Sequence, residues 1–163
     1  MSLPKSVVKF SKSGVTYTSS VDKASYLITE LTRAALRDVG RYISRTANSA
    51  AMKLPGMAKS KRVRGKTSAF QYWVRKKEGD LQVGIKHDTW YGVAQELGSA
   101  TRVGKGGKGI ATQPKKGVLR NSVYDNIPTI VEIESKYLSA LESEAEALNK
   151  IDEGEYQGGG EDD

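Results

Sequence analysis

Cysteine is absent from this chain, histidine occurs once, and the 163 residues include only four prolines, two tryptophans and two phenylalanines. Without cysteine there can be no disulfide framework, thiolate metal site or cysteine nucleophile, and a reducing compartment fits best. The single imidazole, His87, excludes a metal centre built from several histidines and is the one residue on which a Ser/His/Asp triad would have to rest. Long apolar runs are missing too. The start, MSLPKSVVKF, lacks the apolar core of a secretory signal, and no stretch approaches the roughly 20 apolar residues of a membrane span. A soluble protein that contacts no membrane is expected.

Acidic residues are scarce over most of the chain. Residues 1–120 hold 24 Lys+Arg against 7 Asp+Glu, whereas residues 121–163 hold 2 against 12, so a part of net charge +17 is joined to one of −10. A chain polarised in this way can meet copies of itself head to tail, offer its basic part to phosphate, or pair the two regions internally. Its length suits one domain with a modest core, and an apolar share of 37% leaves some segments to order against neighbours.

Along the chain, Val7 to Phe10 and Val15 to Thr18 are short β-prone runs around Ser13-Gly14. They read as a hairpin or an extended arm, 1–20, that leans on the sheet or on another subunit. From Asp22 to Met52, Leu27, Leu31, Ala35, Val39 and Tyr42 recur at helical spacing, with Ile28, Ala34, Ile43 and Ala47 widening the stripe. Ser19 and Asp22 offer a capping box, Leu54-Pro55-Gly56 a stop. A rod of about 45 Å exceeds what a domain this size needs, so either Gly40 bends it or one end projects toward a neighbour.

Ala69 to Lys76 and Leu81 to Lys86 form the clearest strand pair, turned by Glu78-Gly79-Asp80, with Phe70, Tyr72, Val74, Leu81, Val83 and Ile85 on one face. Trp90 to Leu97 reads as one or two helical turns ended by Gly98, with Trp90, Val93, Ala94 and Leu97 beneath the sheet. Helical patterning resumes at Val118 to Tyr124. Asn126-Ile127-Pro128 marks a new start or a kink, and Ile130 to Ile151 is amphipathic, with Glu132 and Glu146 each four residues before a lysine. The fold class is α+β: a small antiparallel sheet packed against a long N-terminal helix and C-terminal helices, with an extended N-terminal arm and a long basic loop. Residues 1–151 make the domain, and 152–163 form an acidic, Gly-rich flexible tail.

Two segments concentrate positive charge. The Gly-rich loop, 99–117, carries Arg102, Lys105, Lys108, Lys115 and Lys116, and the linker before the strand pair carries Lys59, Lys61, Arg62, Arg64 and Lys66. Glycines let backbone N–H groups approach an oxyanion and lysines add charge, so phosphate binding by the loop is conceivable. The phosphate-loop motif is nevertheless absent, because Gly107-Lys108-Gly109 lacks the Ser/Thr that would meet a magnesium ion. The other readings are a solvated loop and an assembly loop that touches DNA or an acidic subunit face. Phe70, Tyr72 and Trp73 beside the linker suit single-strand binding, although strand alternation already accounts for Phe70 and Tyr72 as core. Asp80, Asp88 and Glu96 form no recognised metal motif, and turn, cap or ion-pair roles suit them better. No catalytic residue, cofactor site or metal site is assigned. Glu96 stands in an apolar segment, placed to hold backbone or an arginine such as Arg120.

Two stretches flank the loop: Tyr91-Gly92-Val93-Ala94-Gln95-Glu96-Leu97-Gly98-Ser99 and Gln113-Pro114-Lys115-Lys116-Gly117-Val118-Leu119-Arg120. Together they resemble the neck or tail-completion proteins of long-tailed bacteriophages, a lambda gpZ-like family. That family's pattern is an aromatic residue, an acid, an aromatic or apolar residue and Gly-Thr/Ser, then a variable loop and Pro-x-x-x-Leu-Arg opening a helix. The resemblance covers about a fifth of the chain and rests on Tyr91, Glu96, Gly98, Pro114, Leu119 and Arg120. Leu97 stands where an aromatic is common, and Lys115-Lys116 where apolar residues are common. The resemblance implies a non-enzymatic virion protein, assembled in the bacterial host cytoplasm. It would form a ring, commonly hexameric, between the tail terminator or tail tube and the head-side connector, around the channel that genomic DNA traverses. The alternative is a nucleic-acid-binding protein of another kind, with the basic linker and loop on phosphates.

Overall fold

One helix of 32 residues, α1 (Val21–Met52), is the spine of the molecule. The computed structural model describes residues 7–12, 15–54, 69–75, 77–86, 93, 96–98, 102–103, 109–110 and 114–158. Two strands precede the spine, β1 (Val7–Lys12) and β2 (Val15–Ser19), and two follow it, β3 (Phe70–Arg75) and β4 (Asp80–Ile85). Then come β5 (Arg102–Val103), β6 (Gly109–Ile110) and three helices, α2 (Val118–Tyr124), α3 (Ile127–Ser139) and α4 (Glu144–Gly158). The strands pair as three separate antiparallel ribbons, β1–β2, β3–β4 and β5–β6. The architecture is α+β, with the long N-terminal helix, antiparallel pairing and C-terminal helices expected from the sequence.

The length of α1 is used by two cores in tandem. Toward its N-terminal end, Leu31, Ala34 and Ala35 pack with Tyr137, Ala140, Ala147 and Ile151 from the C-terminal helices. Toward its C-terminal end, Ala47 and Ala51 pack with Phe70, joined by Ile85, Val118 and Leu119. A rod of about 48 Å at 1.5 Å per residue is therefore filled along its length. Lys23 ties the start of the spine to α4 through Glu144 at 2.6 Å, and Tyr42 donates to Asn126 Oδ1 at 2.7 Å at the α2–α3 junction. Tyr137 donates to the Asp38 carboxylate, which Arg41 also meets.

Gly40 has a packing role. It is buried, and a Cβ built there would lie 2.5 Å from Tyr72 Cδ2 and 2.8 Å from Leu81 Cδ1. The β3–β4 ribbon thus rests on bare helix backbone. Its outer edge is closed by Asn48, whose Nδ2 donates to Phe70 O at 3.2 Å while its Oδ1 accepts from Phe70 N at 3.1 Å. Phe70 faces Ile85 in the register, and Lys86 N–H donates to Ala69 O on the inner side. The alternation of antiparallel bonding leaves both Phe70 backbone groups pointing outward, where one amide side chain takes them together.

Four expectations are corrected. The Ser19–Asp22 capping box does not form: Ser20 occupies the cap with no side-chain bond, because Ser19 belongs to the β ladder opposite Val7. Ile28, read as part of the core stripe, is exposed. The helix read from Ile130 to Ile151 is broken by a 3-10 turn, Ala140–Glu142, and an extended Ser143, so that α4 can bring Ala147 and Ile151 onto α1. Val93 and Leu97, placed beneath the sheet, are exposed, Leu97 at 65%; Val118 and Leu119 fill that space from α2. In addition, α4 continues to Gly158, beyond Asp152 where the tail was placed. The Glu132–Lys136 pair forms at 3.0 Å.

The β3–β4 turn carries Gly79 at φ 65°, a left-handed conformation that glycine adopts without a Cβ penalty. Beside it, Arg75 forks onto the Asp80 carboxylate, with Nε to Oδ1 at 2.7 Å. This hydrogen bond, reinforced by the charge of Arg75, holds the Asp80 carboxyl below its ordinary value. A depressed folded pKa means that the contribution is present above the usual carboxylate pKa, near 3.9, and is lost as pH falls through the folded value. Protection of the ribbon amides, measured relative to their intrinsic exchange rates, is therefore expected to fall below about pH 4, and Asp80→Asn is expected to remove that dependence. A pH-independent ribbon in the parent chain would refute the assignment.

Candidate functional site

The segments on either side of the basic loop meet through one residue. Gly98, at φ 79°, closes the turn that contains Glu96 and Leu97. Across the loop, Gly117 caps α2 in a left-handed conformation, φ 57° and ψ 36°, and no side-chain hydrogen bond is made from the cap itself. A helix start leaves its first N–H groups without internal partners, and a glycine cap cannot supply an acceptor. Glu96 supplies it from outside. Its carbonyl accepts from Gly117 N–H at 3.2 Å, and its Oε1 accepts from Arg120 N–H at 3.1 Å.

A carboxylate at this place satisfies a free donor and lies at the positive end of the helix dipole. The Glu96 carboxylate thus holds the Arg120 backbone, and the Arg120 guanidinium lies over the Tyr124 ring at 5.4 Å from its centre. Val118 and Leu119 drive the same first turn into the core with Ala51 and Phe70. The loop base is consequently fixed on both sides, by polar contacts to Glu96 and by apolar contacts to α1.

Within the loop the chain pairs with itself. Arg102 faces Ile110 and Val103 faces Gly109; the Gly-Lys-Gly-Gly-Lys stretch 104–108 lies between β5 and β6 in the sequence. The sequence marks 99–117 only as a basic Gly-rich loop, because a two-residue ladder has no detectable period. Pro114 and Lys115 are exposed and Lys116 is half-buried at the α2 end. Glu96, Gly98, Leu119 and Arg120 come together as one frame; Tyr91, Lys105, Lys108 and the linker residues Lys59, Lys61, Arg62, Arg64 and Lys66 lie outside the described residues.

Of the carboxylates weighed for chemistry, Asp80 is engaged by Arg75 and Glu96 by helix backbone, while His87 and Asp88 lie outside the described residues. Among the described residues no group of three His, Cys, Asp or Glu side chains could hold a metal ion, and no helix is long and apolar enough to cross a membrane. Asn48 and Asn126 are positioning residues that sequence reading missed, since an isolated asparagine carries no periodic signal. No family model, curated protein or solved structure matches this chain.

Replacement of Glu96 separates its two contacts. Glu96→Gln keeps a side-chain oxygen for Arg120 N–H and should cost only a few tenths of a kcal/mol, whereas Glu96→Ala removes the acceptor and should cost about 1 kcal/mol, as loss of a helix cap does. Thermal unfolding read with amide exchange at Arg120 checks this. Equal stabilities for the two variants would show that the carboxylate does not cap α2.

Proposed function

We propose that this chain is a structural subunit of a bacteriophage neck, forming a ring at the top of the tail that joins it to the head-side connector around the DNA channel. The observation that carries this reading is the Glu96 clamp. The two sequence segments that resemble neck and tail-completion proteins become a single unit when Glu96 holds Gly117 and Arg120, and that unit joins the two ends of a loop whose sequence is cationic. Such a part serves docking on an adjacent ring or lining a channel, and it requires no catalytic group. The charge division, +17 against −10, supports ordered contacts between neighbouring copies, whose surfaces of opposite sign can meet around a closed ring.

Light scattering with negative-stain microscopy tests the proposal. A closed ring is expected at low salt, with assembly weakening as ionic strength rises, because exposed charges are screened beyond about 8 Å at physiological salt. A strictly monomeric protein that binds DNA tightly and in a salt-sensitive way would overturn the ring in favour of a nucleic-acid-binding function for the basic loop and linker.

A further inference from the structure

An apolar groove of about 210 Å³ runs between α1 and α3, with Leu31, Ala35 and Tyr137 at its floor and Ile28, Leu138 and Leu141 at its rim. Helix α3 has two apolar faces. Ile133 and Tyr137 pack inward on α1. A second stripe, Ile127, Val131, Glu134 and Leu138, follows the alternating four- and three-residue spacing of a helix that packs against a partner, and Leu141 of the following 3-10 turn lies in the groove beside it. These apolar side chains face solvent: Leu138 is 66% exposed, Val131 56% and Leu141 43%, and Ile28 across the groove is 52% exposed. A contiguous surface of this kind marks an interaction site.

Charge decides what covers it. Glu134 lines the groove, and the exposed Glu142 follows the groove residue Leu141 in the chain; neither has a cationic partner among the described residues. A nucleic acid is excluded by like charge. A two-fold pairing of the stripe with itself would bring Glu134 against its own copy at the centre, a like-charge contact of the kind that costs stability. The occupant must be apolar and basic. Residues 1–21 of this chain carry Lys5, Lys9 and Lys12 with Val7, Val8, Phe10, Val15 and Tyr17, and no carboxylate precedes Asp22. The β1–β2 ribbon formed there is a separate two-stranded sheet with Val15 exposed, and such a ribbon is marginal in water without a surface to pack on.

We infer that the α1–α3 groove receives the N-terminal ribbon of a second copy of this chain, a contact that rests on the ring reading and supplies its subunit interface. The contact is head to tail, since ribbon and groove are different surfaces, and it therefore propagates around a ring rather than closing a dimer. In this contact a basic ribbon without carboxylates meets the Glu134 side of the groove, and the exposed Val15 covers Leu138 and Ile28.

The cysteine-free chain permits a direct test. Val15→Cys, at the exposed apolar position of β2, and Leu138→Cys are made in separate full-length chains, mixed and oxidised. A covalent pair between the two variants, in excess of either homodimer, is expected. Leu138→Glu, at an exposed position and checked for folding by circular dichroism, is expected to convert the ring to monomer in light scattering. A ring that persists in Leu138→Glu, or Leu138→Cys homodimers as the main crosslinked product, would overturn the groove contact and leave the ring reading intact. A monomeric parent chain would overturn both.

Discussion

Replacing Gly40 by valine should unfold the protein about 6 to 12 °C lower than the parent. The added Cβ would meet Tyr72 Cδ2 at 2.5 Å, Tyr72 Cγ at 2.7 Å and Leu81 Cδ1 at 2.8 Å. Two of these are atoms of a ring at its attachment end, which cannot yield without shifting the β3–β4 ribbon. Overpacking of this sort typically costs 1 to 3 kcal/mol, and valine adds two further methyl groups, so about 3 kcal/mol is expected. A domain of this size loses roughly 2 to 4 °C for each kcal/mol. Alanine is the sharper control. It gains about 1 kcal/mol over glycine in helix propensity, so Gly40→Ala stabilises the chain if Gly40 only bends the helix and destabilises it if the close approach governs. A raised melting temperature for Gly40→Ala would refute the packing role.

Asn48→Ala should cost about 2 kcal/mol, because it leaves the N–H and C=O of Phe70 without their partner at a partly covered edge. Asn48→Asp should fall between the two, since a carboxylate accepts from Phe70 N–H but cannot donate to Phe70 O. Urea unfolding gives the free energies, and amide exchange at Phe70 reports the bond itself. Unchanged exchange in Asn48→Ala would show that the ribbon edge is held by something else. Because Phe70 shares its core with Val118 and Leu119, loosening this edge is also expected to reach the base of the basic loop.

The parts of the fold that could be read from sequence are those written in local signals. The span of α1 followed from its apolar period, the β3–β4 ribbon from alternation around Gly79, and the start of α3 from Pro128. The break at Ala140–Ser143 was not legible: no glycine or proline marks it, and its cause is the distant surface that Ala147 and Ile151 must reach. Gly40 was visible as an anomaly in a helix, but its reason lies in Tyr72, 32 positions later. The candidate site shows the same division. Glu96 stood out as a carboxylate among apolar neighbours, yet its choice of the Arg120 backbone over the guanidinium depended on where α2 begins and on a glycine at its cap. Ile28 was assigned to the core because a helical stripe gives a direction without telling which neighbour arrives to cover it.

The clamp at Glu96 also makes the loop above it replaceable. Once Gly117 and Arg120 are held from across the loop, the domain below is indifferent to the length of what lies between, and doubling a flexible loop adds only about 0.6 kcal/mol of closure entropy. Segment 99–113 is thus the place where this chain could exchange one partner for another by insertion or deletion, and where a peptide tag could be carried without disturbing the frame.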